Sequence, residues 1–211
     1  MTDQVLIEPE PAVAHELFGE RLPVAREFAA QLGSRGEELG LIGPLEPPRL
    51  WSRHILNSAL VAPLLRPGLV GDIGTGAGLP GLVLAIARPD VEFVLIEPME
   101  RRVAWLEEQV KHLALDNVIV RRARAEDVAD EITLDQVTAR AVSAFAKLIP
   151  LTVPLVRTGG ELVLMKGQNA EREVDAASKA IKKHHLVDVE VLTLGTGLVD
   201  EVTRVIRARL A

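Results

Sequence analysis

The run Asp72-Ile73-Gly74-Thr75-Gly76-Ala77-Gly78-Leu79-Pro80-Gly81 follows an apolar, β-rich stretch that begins at Leu69 and precedes the aliphatic segment Leu82 to Ile86. It reads as a strand that ends at its acid, a glycine-rich turn and the start of a helix. Glycine lets the chain turn tightly and brings backbone close to a ligand with no Cβ in the way. Pro80 suits a first helical turn, where its missing N–H costs nothing.

Outward from this turn the same rhythm repeats. Strands are expected at 69–73, 91–96, 118–122, 135–139 and 161–166, and helices at 79–87, 99–115, 145–156 and 170–185. In the 99–115 segment Val103, Leu106, Val110 and Leu113 share one helical face. Strand–helix alternation of this length implies an α/β fold, a mainly parallel sheet with helices on both faces. Two last strands, 187–194 and 202–210, have only Gly195 to Glu201 between them and predict a C-terminal antiparallel hairpin, the seventh strand of the sheet. Residues 12–32 carry Leu17, Phe18, Leu22, Ala25, Phe28, Ala29 and Leu32 at helical spacing, interrupted near Pro23, and 49–65 reads as a further helix. The chain therefore divides into an N-terminal helical cap, 1–66, and an α/β domain, 67–211.

Composition narrows the chemistry. With 211 residues and 48% hydrophobic content but only 3% aromatics, the core must be aliphatic. There is no cysteine, which excludes disulfides, thiolate zinc sites and cysteine nucleophiles. The five histidines are scattered, so no metal is assigned. The acidic, proline-containing start is the opposite of a signal peptide, and no apolar run reaches membrane-spanning length. A cytoplasmic, monomeric protein without membrane contact is expected. The formal net charge is −6, but residues 1–50 hold nine acids and four bases, leaving the remainder at −1. That near-neutral part can still present a local basic face to a nucleic acid.

The glycine turn fits two templates. Gly76-x-Gly78-x-x-Gly81 is a dinucleotide fingerprint, in which a helix N-terminus holds a pyrophosphate. Asp72-x-Gly74-x-Gly76-x-Gly78 is the acid-led form found in methyltransferases. The acid favours the second, because a carboxylate repels a pyrophosphate and attracts the ammonium of a methionine moiety. Glu97 closes the next strand and can accept from two ribose hydroxyls. After the third strand, Ala125 and Glu126 stand where an adenine would meet a backbone N–H and a side-chain acceptor. The cofactor implied is S-adenosyl-L-methionine, on a Rossmann-like class I methyltransferase fold.

Four segments, Arg53-His54-Ile55-Leu56-Asn57-Ser58, the glycine turn through Leu79-Pro80-Gly81, Ala139-Arg140-Ala141 and Met165-Lys166-Gly167, stand in the order and spacing of one family. Over about residues 49–170 the chain resembles the RsmG (GidB) family. The resemblance implies methyl transfer to guanine N7 in 16S ribosomal RNA, with that RNA or the small ribosomal subunit as partner. It implies Gly74 and Leu79 as cofactor contacts in the turn, Ala125 and Glu126 on the adenine side and Arg140 as a further binding or catalytic residue; Asp72, Gly76 and Glu97 of the acid-led template complete the expected cofactor set. Two departures are visible. Gly40-Leu41-Ile42-Gly43-Pro44 replaces the family's Asn-Leu-Thr stretch, and Glu201-Val202-Thr203-Arg204-Val205 replaces a second Arg-His stretch.

Guanine N7 already offers an in-plane lone pair, so no general base is required, which suits a sequence without a catalytic dyad. A donor placed on N7 would block the reaction; a useful cation must address O6 or a phosphate. Arg140 and Lys166, at successive strand ends, are the catalytic candidates. His54 fits a packing role as well as a substrate contact. Trp51 fits the core better than base stacking, and Arg101 and Arg102 read as solvated helix surface. Arg121, Arg122 and Arg124 fit either phosphate contact or a solvated strand end. A methyltransferase for a small molecule or protein, and a non-catalytic cofactor-binding module, remain open on the residues alone. A basic patch near Arg53, Arg140 and Lys166 would point to RNA and an enclosed apolar pocket to a small substrate.

Overall fold

The computed structural model describes residues 7–140 and 142–211; the first six residues of the expected cap, and Ala141 of the Ala139-Arg140-Ala141 motif, lie outside them. Seven strands, β1 (Leu69–Ile73), β2 (Glu92–Ile96), β3 (Val118–Arg121), β4 (Leu134–Arg140), β5 (Val156–Lys166), β6 (Leu186–Leu194) and β7 (Thr203–Leu210), form one sheet. The order is β3-β2-β1-β4-β5-β7-β6, and only the pairings of β7 with β5 and β6 are antiparallel. The hairpin folds inward: β7 lies between β5 and β6, and β6 takes the edge. The strand order reverses between β1 and β4, and in open sheets of this kind ligands bind outside the carboxyl ends at that point.

Successive side chains of a strand point to opposite faces, and β5 shows what that does to the core. Val163 and Met165 join one apolar cluster; Leu162 and Leu164 join the other. The first cluster gathers α4 (Gly81–Ala87), α5 (Glu100–His112) and the N-terminal residues Phe28, Leu32, Trp51 and Ile55, so the N-terminal segment shares a core with the sheet. The second packs α6 (Phe145–Thr152), α7 (Ala170–Ala176) and α8 (Ser178–Lys183) against the opposite face. A sheet covered on both sides explains why its strands read as near-continuous apolar runs.

The interruption expected near Pro23 is present: α1 (Ala14–Phe18) ends at Gly19, whose φ of +50° is helix-incompatible for most residues, and α2 (Leu22–Arg35) starts with Pro23 in its first turn. Three expectations are corrected in detail. The helix expected at 49–65 is a 3-10 turn at Pro47–Arg49, a π-helical segment at Trp51–Leu56, the short α3 (Asn57–Ala59) and a 3-10 turn around Pro63. The helix expected at 170–185 breaks at Ala177 into α7 and α8. β5 starts at Val156 rather than 161, running through Gly159 and Gly160, with the register against β4 shifting between Leu134 and Gln136. Two adjacent glycines hide such a strand from propensity, and a bulge accommodates them.

Candidate active site at the carboxyl ends of the central strands

Asp72 is the fourth residue of β1 and is fully buried. Its Oδ2 accepts the Gly81 N–H at 2.8 Å, so the strand end is fastened to the first residue of α4. Only glycine fits at 81: a Cβ there would stand 2.6 Å from Asp72 Oδ2 and 2.4 Å from Leu95 Cδ2. Among the described residues the other oxygen, Oδ1, has no partner of hydrogen-bonding geometry, and neither has the buried hydroxyl of Thr75, which nevertheless stands close enough to favour the charged carboxylate. Burial pushes the Asp72 carboxyl up to about 6, against the opposing pull of Thr75, the Gly81 N–H and the Arg140 charge. A half-satisfied buried carboxylate is costly, and a bound cation relieves it.

Glu97, just beyond β2, is also buried, but both its oxygens are engaged. Oε2 accepts the Gly76 N–H and Oε1 the Met99 N–H, each at 3.0 Å. Arg102 Nη1 stands 3.7 Å from Oε2, which corrects its reading as plain solvated surface. Carboxylate oxygens accept more than one hydrogen bond each, so capacity remains for hydroxyl donors. Gly74, Gly76 and Gly78 adopt φ of +66°, +60° and +94°, in the region glycine favours. A Cβ on Gly78 would collide with Leu82 at 2.4 Å, whereas one on Gly76 would meet nothing nearer than 3.8 Å. Gly78 serves helix packing, while Gly76 is uncrowded, with only the Gly74 carbonyl and Arg102 within ordinary contact of a Cβ there. Trp105 in α5 donates from Nε1 to the Ala77 carbonyl at 3.0 Å and pins the turn from below. No local signal in the chain marks that bond, because Trp105 sits in a helix like any core aromatic.

Leu79 and Ala125 are buried. Ala125 opens a 3-10 turn, Ala125–Val128, where Glu126 is exposed and Asp127 accepts the Arg124 N–H at 3.3 Å. Arg121 and Arg122 pair with Glu131 and Glu100 at 3.1 and 3.0 Å.

Beside the turn lies a cavity of about 890 Å³ lined by Arg53, His54, Arg140, Lys166, Arg204 and Val142 among others. Val142 connects it to the turn, since a Cβ on Gly74 would stand 3.1 Å from its Cγ2. Four cations face three acids here, Glu173, Asp200 and Glu201, among apolar side chains such as Val142 and Met165, so the cleft is open, mixed and charged rather than an enclosed apolar pocket. Arg140 and Lys166 do meet in it, but in different states. The Lys166 side chain is only 7% exposed, and its Nζ donates to the Ser143 carbonyl at 2.6 Å and lies 2.8 Å from Glu173 Oε2. Glu173 also accepts the Phe145 N–H at 2.7 Å, at the start of α6. Two of the three ammonium donors are thus committed to holding that loop. Arg140 donates from Nη1 to the Arg53 carbonyl at 3.3 Å and from Nη2 to His54 Nδ1 at 2.8 Å, which among the described residues leaves three of its five N–H groups. His54 is neither a simple packing residue nor free for substrate, and Trp51 is in the core. Burial lowers the Arg140 guanidinium to about 10, with Asp72 opposing, so it stays cationic at neutral pH.

Comparison with known proteins identifies the family. A family model described as rRNA small subunit methyltransferase G matches residues 21–202. A protein of Clavibacter michiganensis subsp. michiganensis named ribosomal RNA small subunit methyltransferase G is 84% identical over the whole of both chains. A protein of the same name from Leifsonia xyli subsp. xyli is 70% identical over 99% of each. In fold the chain is similar to a solved SAM-dependent methyltransferase from Aquifex aeolicus, with a TM-score of 0.59, 18% identity, and coverage of 82% of this chain and 98% of that one. The chain belongs to the rRNA small subunit methyltransferase G family, and its sheet is that of the S-adenosylmethionine-dependent methyltransferases.

Proposed function

We propose that the protein transfers a methyl group from S-adenosyl-L-methionine to N7 of a guanine in 16S ribosomal RNA. The observation that carries the reading is the buried Asp72 carboxylate at the switch point of the sheet, its Oδ1 without a partner of hydrogen-bonding geometry among the described residues, beside an uncrowded Gly76. When bound, S-adenosylmethionine supplies an electrophilic methyl on a sulfonium.

The chain's own residues bind and orient. Asp72 takes the ammonium, with backbone at Gly74, Gly76 and Leu79 alongside. Glu97 accepts from the ribose hydroxyls, and Ala125 and Glu126 address the adenine. The ionic cleft takes the RNA, with Arg140 directing its remaining donors to guanine O6 or a flanking phosphate. Lys166 holds the 143–145 loop through Ser143 and has one donor left for the same target. Neither cation needs to move a proton, because N7 carries none; alignment of nucleophile, methyl and leaving sulfur is the task. The N-terminal cap, 1–66, brings Arg53 and His54 to the methyltransferase domain, 67–211. The same reading implies a cytoplasmic monomer, and among the described residues no helix is long and apolar enough to cross a membrane.

Calorimetry with S-adenosylmethionine and NAD tests the cofactor half. The methyl donor should bind more tightly; tighter NAD binding would refute the assignment.

A further inference from the structure

We propose that His54 is a positioning residue for methyl transfer, a fixed relay through which Glu46 of the N-terminal segment holds the Arg140 guanidinium at the cleft. The proposal rests on the reading above, in which Arg140 serves the guanine.

The chemistry of the partners settles how the imidazole is protonated. A guanidinium only donates, and Arg140 Nη2 is 2.8 Å from His54 Nδ1, so Nδ1 bears a lone pair. A carboxylate only accepts, and Glu46 Oε2 is 2.6 Å from His54 Nε2, so Nε2 bears the proton. Both ring nitrogens are committed, so the largely buried ring lines the cleft without a polar atom left to offer a substrate. Glu46 is itself braced by Arg49 at 2.7 Å and Arg53 Nε at 3.2 Å. The relay therefore runs from a carboxylate in the cap, through a neutral imidazole, to a cation at the end of β4.

The second donor of the fork uses the same short stretch: Arg140 Nη1 reaches the Arg53 carbonyl at 3.3 Å. Arg53 and His54 lie in the π-helical segment Trp51–Leu56, and such segments cluster at functional sites. Two adjacent residues of one segment thus grip two nitrogens of one guanidinium, and a planar group held at two points has little freedom left. The charged groups around the ring are Glu46 and Arg49 from the cap loop, Arg53 from its own segment and Arg140 from β4. Asp72 lies beyond Arg140, and Glu201 stands 3.9 Å from Arg53. Burial and the nearby Arg140 and Arg53 charges hold His54 down to about 4, against the pull of Glu46, so the ring stays neutral where RNA enzymes work.

Asparagine and glutamine separate the relay from mere packing. The short amide of His54→Asn keeps an acceptor where Nδ1 stands, and the longer amide of His54→Gln keeps a donor where Nε2 stands. With small-subunit RNA as substrate, His54→Ala and His54→Gln should lower kcat by about tenfold to a hundredfold, the range a misplaced reacting group costs. His54→Asn should recover most of that loss, and S-adenosylmethionine affinity should change by less than about threefold in all three, since His54 does not touch the glycine turn. Nitrogen-15 spectra of the wild type should show the neutral Nε2–H form, lost in Arg140→Ala. Asn and Gln variants that fall together with Ala in step with stability, or an Nδ1–H ring, would overturn the proposal. If the wild type methylates no RNA, the functional reading fails by itself, and the spectra then decide the relay.

Discussion

Replacing Asp72 by Asn should make the free protein more stable and the cofactor complex weaker. Burial raises this carboxyl from 3.8 to about 6. Between those values the folded state holds a proton that the unfolded chain has released. The stability this confers is full below 3.8 and is lost as pH rises through 6, at a cost of about 3 kcal/mol by pH 7. Asparagine removes the charge and keeps an oxygen for the Gly81 N–H. Its amide nitrogen then takes the place of the orphaned Oδ1, which costs roughly 1–2 kcal/mol. The net expectation at pH 7.5 is a gain of about 1–2 kcal/mol, or roughly 2–8 °C in Tm. The same change removes a charge-assisted bond to the methionine ammonium worth about 1.5–3 kcal/mol, a loss of roughly 10- to 150-fold in affinity. Wild-type affinity should also fall nearly tenfold per pH unit below about 6, while the Asn variant stays flat. Calorimetry with S-adenosylmethionine at pH 7.5 and 5.0, beside urea unfolding of the free proteins, reads both quantities. An Asn variant that binds as tightly as the wild type, or wild-type binding indifferent to pH, would refute the assignment of Asp72 to the ammonium.

Glu97→Gln should weaken cofactor binding by about tenfold while keeping the fold, whereas Glu97→Ala should also loosen the turn, because the Gly76 and Met99 N–H groups lose their acceptor; amide exchange at Gly76 separates the two. Gly81→Ala should cost about 1–3 kcal/mol in thermal unfolding, since a Cβ there collides with Leu95 and Asp72. Arg140→Ala should lower RNA turnover by roughly 10- to 150-fold with a smaller change in cofactor affinity, while Lys166→Ala should show mainly as about 3 kcal/mol of lost stability, because Glu173 loses its buried partner; equal losses of turnover and cofactor affinity in Arg140→Ala would make that residue a cofactor contact. His54 is held below its ordinary value, so its neutral form stabilises the fold fully above 6.5, and that stability is lost as pH falls toward 4; the difference between wild type and His54→Asn in urea unfolding over this interval should approach about 3 kcal/mol.

The sheet was legible because its signals are local. A strand, a glycine turn and a helix at 69–87 repeat as a pattern, and the short gap from Gly195 to Glu201 between two last strands forces a hairpin. What escaped the sequence depends on partners far along the chain. Gly159 and Gly160 read as a break until β4 supplies a bulged neighbour. Asp72, Glu97, Arg140 and Lys166 were all placed at strand ends from their spacing, yet nothing in the spacing distinguishes an Arg140 that donates twice, to the cap, from a Lys166 locked to Ser143 and Glu173. The Glu46–His54 bond spans eight residues with Pro47 and Pro48 between them, and the His54–Arg140 bond spans eighty-six. Arg102 looked solvated on its helix because the carboxylate it approaches, Glu97, comes from a strand end.

The central claim is a reaction, and one measurement addresses it. The purified protein is incubated with radiolabelled S-adenosylmethionine and either protein-free small-subunit RNA or intact small subunits from cells lacking the gene, and the RNA is digested to nucleosides for mass spectrometry. Label should appear as 7-methylguanosine, at a single position, in at least one of the two substrates and in neither with Arg140→Ala at matched time. Label in any other nucleoside, or none in either substrate while the cofactor binds normally, would contradict the account.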